Sequence, residues 1–247
     1  MDEALELAVK RLKDLEKRSY NNNTFEFGDF LSPAEFDAFR KVSPAGEAFG
    51  GYAQAERRML RFGDPEELGY DVPFPIDCIK VSSASGKFSS PLTHRDYLGA
   101  LMSLGVERRV FGDIVVRNGI AYIFCENRMS PFILENLVSV GRNQVHVEIS
   151  DFPEEEYEAG RQQMAIQVSS PRADAVIAHV CKLSRGNVTP YFTGKLVQLN
   201  GRILERPDKL LTEGDIFSVR GFGKYAVGES TGVSKKGKTN ILIYKYV

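Results

Sequence analysis

The sequence predicts an α+β protein in three parts: a helical or mixed region over 1–72, a β-α-β-β-α-β domain over 73–152, and a small C-terminal module over 166–247 with a basic tail. Three observations predict it. Apolar residues recur at helical spacing in "MDEALELAVKRLKDLEKR". Between 75 and 150, strand-like and helix-like patterns alternate through six elements. Towards the C-terminus, "LVQLNGRILERPDKLLTEGDIFSV" sets short alternating runs around the turn signals Asn200-Gly201 and Gly214-Asp215. A chain of 247 residues has room for more than one domain, and 43% apolar with 26% charged residues is the make-up of an ordinary globular protein.

Each element has a local reason. Leu5, Val9, Leu12 and Leu15 form an apolar stripe that predicts a helix over 3–18, broken by the asparagines at 21–23. Ser32-Pro33-Ala34-Glu35 is a capping box with proline at the first helical position, so a second helix runs to about Lys41. The double glycine of "GEAFGGYAQAERRMLRFG" permits a tight bend, after which strand and helix fit Tyr52 to Phe62 equally well. "PIDCIKVSS" reads as a strand and "LTHRDYLGALMSLG" as a helix capped by Thr93. "GDIVVRNGIAYIFCEN" reads as a hairpin on Asn118-Gly119, "SPFILENLVSVG" as a helix and "NQVHVEIS" as a final strand. That order is the split ferredoxin-like arrangement, which RNA-recognition folds also use. "DFPEEEYEAG" carries five acids in eight residues and reads as a surface connection. Beyond it come a helix from Arg172 to about Lys182, a short helix after Ser184, the Asn200-Gly201 hairpin, and a strand after Asp215. In the tail, a basic loop precedes the apolar run "NILIYKYV", which is expected to pair onto a sheet.

Charge is polarised along the chain. From Val168 onward 13 Lys and Arg face 6 Asp and Glu, a net of +7, whereas residues 1–167 carry 19 against 27, a net of −8. A C-terminal module facing a polyanion fits this asymmetry, and a solvated basic face is the alternative. Cys78, Cys125 and Cys181 are odd in number and never paired as Cys-x-x-Cys, which fits a reducing cytoplasm without a zinc site or disulfides. The acidic start and the lack of a long apolar run argue against a signal peptide or a membrane span. His94, His146 and His179 have no ligand spacing, and "SGKFSS" at 85–90 lacks the pattern of a phosphate-cradling loop, so neither metal nor cofactor is expected. Tyr122 and Phe124 share one face of a strand, where they can stack bases or pack between domains; packing fits better. Arg57, Arg58 and Arg61 extend a basic surface or are simply exposed charge.

The run "RADAVIAHVCKLSR … GKLVQLNGRILERPDKLLTEGDIFSVRGFGKY" resembles the small RNA-binding module named after ribosomal protein S-four, the alpha-L motif. Arg172, Asp174, Ser184, Arg185, Gly194, Val197, Asn200, Gly201, Pro207, Gly214 and Asp215 match its pattern. "SVRGFGKY", "GGYAQAERRML", "HRDYLGALMSLGVERRVFGDIVV" and "ENLVSVGRNQVHVEI" resemble one branch, the YlmH-type proteins, so the likeness covers nearly the whole chain. Two positions depart from the module's pattern. Ala173 stands where the motif has Leu, and Pro190 falls inside the second helix, where it fits only if that helix starts late.

Arg172, Lys182, Arg185, Lys195 and Arg202 are spaced so that two helices and a hairpin can share a cationic face that neutralises phosphates. Ser184 is a natural N-cap, and "RGFGKY" brings in Arg220 and Lys224 with glycines that suit either a phosphate contact or a strand exit. The expected RNA-binding set is therefore Arg172, Lys182, Ser184, Arg185, Lys195, Arg202, Arg220 and Lys224, with no catalytic residue. The resemblance implies a cytoplasmic, monomeric, non-enzymatic factor that binds ribosomal RNA and tRNA on obstructed large ribosomal subunits. It also implies support for C-terminal tailing of stalled chains, with a tailing factor as a further partner. Two other classes are weighed against it. Pseudouridine synthases carry the same module, but Asp96 in "HRDYLGALM" lacks their spacing and sits where a helix cap belongs. A scaffold linked to cell division would instead draw on the acidic N-terminal half.

Overall fold

The computed structural model describes residues 3–86, 91–155, 162–234 and 237–246. Residues 87–90 of the "SGKFSS" stretch and 156–160 of the acidic connection lie outside them. The protein divides into two compact units, Met1–Pro153 and Glu154–Val247. It is of the α+β class, with helices and, among the described residues, three separate sheets.

In the N-terminal unit, α1 (Glu3–Asn22) runs a turn further than expected, and Asn23 ends it in the left-handed region at φ 56°. α2 (Pro33–Arg40) begins at the anticipated capping box. Ser32 N–H donates to the Glu35 carboxylate at 2.7 Å, and Glu35 N–H donates to Ser32 Oγ at 3.3 Å. Leu12, Phe39, Leu60 and Phe62 join the helices to an antiparallel sheet of β1 (Glu26–Phe27), β2 (Glu47–Phe49) and β3 (Met59–Phe62), in the order β1-β3-β2. The ambiguous Tyr52–Phe62 stretch therefore splits into a looped 52–58 and a fully buried strand over 59–62.

The three arginines in and before that strand are not surface charge. Arg61 is 7% exposed, ion-paired with Glu47 and with Asp71 at 2.6 Å, and set against the rings of Phe25 and Phe74. Arg57 donates to the carbonyls of Phe111 at 2.9 Å and Phe30 at 2.7 Å. Arg58 lies over the Phe36 ring at 4.3 Å. Both surface readings of these residues fail, because backbone carbonyls, carboxylates and aromatic faces take up the guanidinium groups.

The second sheet of this unit holds β4 (Ile76–Ser83), β5 (Phe111–Arg117), β6 (Ile120–Glu126), β7 (Ser139–Val140) and β8 (Asn143–Ile149) in the order β5-β6-β4-β8-β7, with every pairing antiparallel. After the single-turn α3 (Pro65–Leu68), α4 (His94–Ser103) and α5 (Ser130–Asn136) bury Tyr97, Leu101 and Ile133 against Ala121, Ile123 and Cys125 of β6. The last helix is shorter than the sequence predicts. It ends at Asn136, Leu137 leaves helical geometry at φ −83° and ψ 78°, and Ser139–Val140 pairs with β8 across Gly141, whose φ is 59°. On the other face of β6, Tyr52 stacks on Phe124 with centroids 5.0 Å apart, and Phe152 meets Tyr122 and Phe124 edge-on. Packing accounts for these aromatics, and Phe124 is 1% exposed.

Among the described residues the C-terminal unit holds a six-stranded antiparallel sheet covered by α6 (Ala173–Val180) and α7 (Arg185–Thr193). Its strands are β9 (Gln162–Val168), β10 (Val197–Leu199), β11 (Arg202–Ile203), β12 (Ile216–Val219), β13 (Gly223–Val233) and β14 (Thr239–Tyr246), in the order β11-β10-β12-β13-β14-β9. The apolar tail does pair into the sheet, lying between β13 and a strand, β9, that the sequence reading does not contain. Ala173, Val176, Ile177, Val188, Phe192, Phe217 and Ile243 form the core. α7 starts directly after Ser184 and continues through Pro190, contrary to the late start expected. The bond that proline removes would have run to Gly186, and both residues lie on the exposed side. The freed carbonyl therefore faces water, while Val188 and Phe192 hold the opposite side to the core.

A clamp on Asp113 shapes the loop before β3. Its carboxylate accepts from Tyr52 Oη at 2.9 Å, Glu56 N–H at 2.7 Å and Arg57 N–H at 3.1 Å. Gly51 enters the loop at φ 99°, and a Cβ there would sit 2.2 Å from Phe124 Cδ1. Gly51→Ala is expected to destabilise the N-terminal unit by about 2–5 kcal/mol, combining a left-handed backbone with overpacking. Urea unfolding of the full chain measures it.

Candidate nucleic-acid interface

The site is built on the turn between α6 and α7. Cys181 caps α6, Lys182 takes the left-handed conformation at φ 53°, and Leu183 N–H reaches back to the Ala178 carbonyl at 2.9 Å. This six-to-one bond is the Schellman closure, which glycine ordinarily supports. Ser184 then caps α7, its Oγ accepting from Asn187 N–H at 3.3 Å. Lys182, Ser184 and Arg185 are all exposed, and among the described residues neither cation has an ion-pair partner. The N–H groups at the start of α7 open beside them, adding donors and the positive end of a helix dipole.

A shallow cleft of about 440 Å³ runs along this turn. Ala175, Ala178 and His179 of α6, Lys182, Leu183, Arg185, the 167–169 segment and Lys238 line it, without a single carboxylate. His179 and Lys238 were missed in the sequence. Lys238 stands more than fifty residues from the turn, and no spacing rule joins it to Lys182.

The other expected contacts are distributed differently. Arg172 grips Asp174 through two hydrogen bonds of 3.1 and 3.0 Å, which raise its pKa above the ordinary value. Lys195 sits 3.4 Å from Glu205. Arg202 is half-buried on β11, in register with Leu199, Phe217 and Tyr225. Lys224 shares the neighbouring row with Ser218, Gln198 and Ile203, so it projects from the opposite face, where its ammonium lies 4.8 Å from the Tyr246 ring. Arg220 is exposed in the β12–β13 turn, where Gly221 and Gly223 take φ of 89° and 114° as a strand exit requires. The turn thus gathers Lys182, Ser184 and Arg185, and does not gather the remaining five.

Asp96 is a cap. Its carboxylate accepts from Thr93 N–H and Oγ1, both at 2.7 Å, and these bonds hold its pKa below the usual range. Burial pushes the neighbouring Tyr97 phenol and the Cys78 and Cys125 thiols up to about 12, which leaves them protonated at neutral pH. Among the described residues no cluster of His, Cys, Asp and Glu is placed to hold a metal, and no helix is long and apolar enough to cross a membrane.

Known proteins show where this architecture recurs. The family described as "Putative RNA-binding domain in YlmH" matches residues 71–154, the segment that spans β4 to β8. "Ribosome-associated protein quality control protein P2" of Bacillus subtilis (strain 168) is 33% identical over 222 residues, covering 86% of this chain and 84% of that protein. The chain belongs to the YlmH family. "Cell division protein ylmH from Streptococcus pneumoniae" shares the fold, with a TM-score of 0.51 and 20% identity over 62% of this chain and 95% of that one.

In this YlmH-family chain the Asn200-Gly201 turn is locked from outside. Asn200 Nδ2 donates to Asp215 at 2.8 Å, and Asn200 Oδ1 accepts from Ile216 N–H at 2.9 Å. The second carboxylate oxygen of Asp215 accepts from Thr212 N–H at 2.8 Å. Motif residues Asn200 and Asp215 therefore fix the hairpin, and Gly201 and Gly214 supply the positive φ of its turns at 76° and 86°. Lys182 is the opposite case, strained where a ligand has access. Lys182→Gly is expected to raise stability by about 0.5–1 kcal/mol, since relief of roughly 1–2 kcal/mol of left-handed strain is offset by a floppier unfolded chain. The urea midpoint reads this directly.

Proposed function

We propose that the protein is a non-enzymatic RNA-binding factor of ribosome-associated quality control. It holds ribosomal RNA and tRNA phosphates on large subunits obstructed by peptidyl-tRNA, and so supports tailing of the stalled chain. The observation that carries this reading is the pinned α6–α7 turn, where Lys182 and Arg185 stand without carboxylates beside the open start of a helix. Cations so placed release counterions on meeting phosphates, which gives salt-dependent affinity without base readout. The ribosome enters through the relative's name, and RNA through that name's companion, the family description.

In this reading Glu154–Val247 contains an alpha-L module extended by β9 and β14. The β5-β6-β4-β8 order supports a ferredoxin-like middle domain over 73–152, and 1–72, with its own small sheet, is a further domain within the same compact unit Met1–Pro153. The factor works as a cytoplasmic monomer by position alone. Lys182 and Arg185 make the principal phosphate contacts, with Arg220 and Lys224 peripheral and Arg172, Lys195 and Arg202 serving mainly to hold the module's shape.

Sedimentation with purified large subunits over a KCl series tests it, comparing subunits that carry peptidyl-tRNA with empty ones. The protein is expected to pellet preferentially with obstructed subunits. Lys182→Gly with Arg185→Ala should abolish pelleting at moderate salt and flatten the logarithmic salt dependence by about two. Pelleting of the double variant with unchanged salt dependence would show that the turn is not the RNA contact.

A further inference from the structure

We propose that Lys238 is a second jaw of the RNA grip, closing the cleft against Lys182 and Arg185 so that one nucleotide of RNA backbone is held there by its phosphodiester. The inference rests on the RNA-binding reading above and extends it to a part of the chain outside the alpha-L pattern.

The sheet register brings the lysine there. Thr239 of β14 lies opposite Val168 of β9, so Lys238 falls across from Ser169, where the chain leaves the sheet to enter α6. Its backbone is fixed by Ser234, whose N–H donates to the Lys238 carbonyl at 2.7 Å and whose Oγ accepts from Lys238 N–H at 3.1 Å. The facing wall is one side of α6. Ala175, Ala178 or His179, and Lys182 follow one another at helical spacing. The two alanines, at 4% and 9% exposure, give a low floor between the hairpin and the helix.

The chemistry of this enclosure selects an anion. Three cations from three different elements meet around it, and no carboxylate lines it. Three other basic residues of the unit have acidic partners close by, Arg172 with Asp174, Lys195 with Glu205 and Arg206 with Asp208. Among the described residues Lys238 has no ion-pair partner. A volume of about 440 Å³ lies within the range of roughly 300–1,000 Å³ of ligand sites. It exceeds what a bare phosphate needs, and Gln167 and Ser169 supply neutral hydrogen-bonding groups for the attached ribose. A phosphate held from two sides has its direction fixed as well as its charge met, so the hairpin would set the orientation of the RNA backbone on the module.

Fluorescence anisotropy of a short labelled RNA stem-loop with the full chain tests this over a KCl series. The variants are Lys238→Ala, Ala178→Leu and Lys182→Gly with Arg185→Ala, each checked by thermal melting. Lys238→Ala should weaken binding several-fold and reduce the slope of log affinity against log salt by about 0.9, the loss of one phosphate contact. Ala178→Leu fills the cleft without altering charge and should also weaken binding several-fold. If either behaves as wild type while the double turn variant loses RNA, the second jaw is wrong and the RNA-binding reading stands. If none of the three alters binding, that reading falls as well.

Discussion

The hydrogen bond from Leu183 N–H to the Ala178 carbonyl governs what the C-terminal unit presents to solvent. It closes α6, forces residue 182 into the left-handed region, and delivers Ser184 to the cap of α7 within three residues. Glycine would make the same turn with less strain. A lysine there accepts roughly 1–2 kcal/mol of backbone cost and gains a cation whose position is set by backbone geometry instead of by a flexible partner. Arg185 follows on the first turn of the next helix. The backbone thereby fixes the two points beside the helix start from which these side chains leave, and each charge can reach a phosphate on its own flexible stem.

The N-terminal unit solves a different problem with the same kinds of residue. Its arginines stabilise the joint between two sheets. Arg57 spans the Phe30 and Phe111 carbonyls, Asp113 collects the loop from Tyr52 to Arg57, and Tyr52 covers Phe124. Buried guanidinium groups are tolerable because carbonyls, carboxylates and ring faces meet most of their surface, although Arg58 Nε and Arg61 Nε have no hydrogen-bond partner, and removing one partner would leave a desolvated charge behind. The aromatic face of β6, which on an RNA-recognition sheet can stack bases, is consumed by this joint. Any RNA contact by the middle sheet would therefore have to come from another surface.

Much of this was legible from local chemistry. The Ser32 and Thr93 caps and the Asn118-Gly119 and Asn200-Gly201 turns are each determined within a few residues by hydrogen bonding or by φ preference, so the sequence states them directly. What escaped depends on partners distant in sequence. β9 reads as polar because its glutamines face solvent at a sheet edge, and only pairing with β14 makes it a strand. Arg57, Arg58 and Arg61 look like a surface cluster until Glu47, Asp71 and the Phe30 and Phe111 carbonyls are folded around them. Of the candidate RNA contacts, Lys182, Ser184 and Arg185 were readable because they adjoin one turn, whereas the register that brings Lys238 to the same cleft is a property of the whole sheet.

That distinction bears on how charge should be counted in such a module. A net of +7 over residues 168–247 treats every lysine and arginine as available to a polyanion. Arg172, Lys195 and Arg206 are each within 3.4 Å of a carboxylate, and a phosphate must displace that partner or share the cation with it. These are exposed pairs, weakened by water and salt, so exchange is not forbidden; it simply returns less than binding to a cation with no partner. That difference favours the carboxylate-free cleft over the paired cations of the basic surface. Affinity for RNA should follow the few unpartnered cations at the turn, and the paired ones should act mainly on the stability of the fold that holds the turn in place.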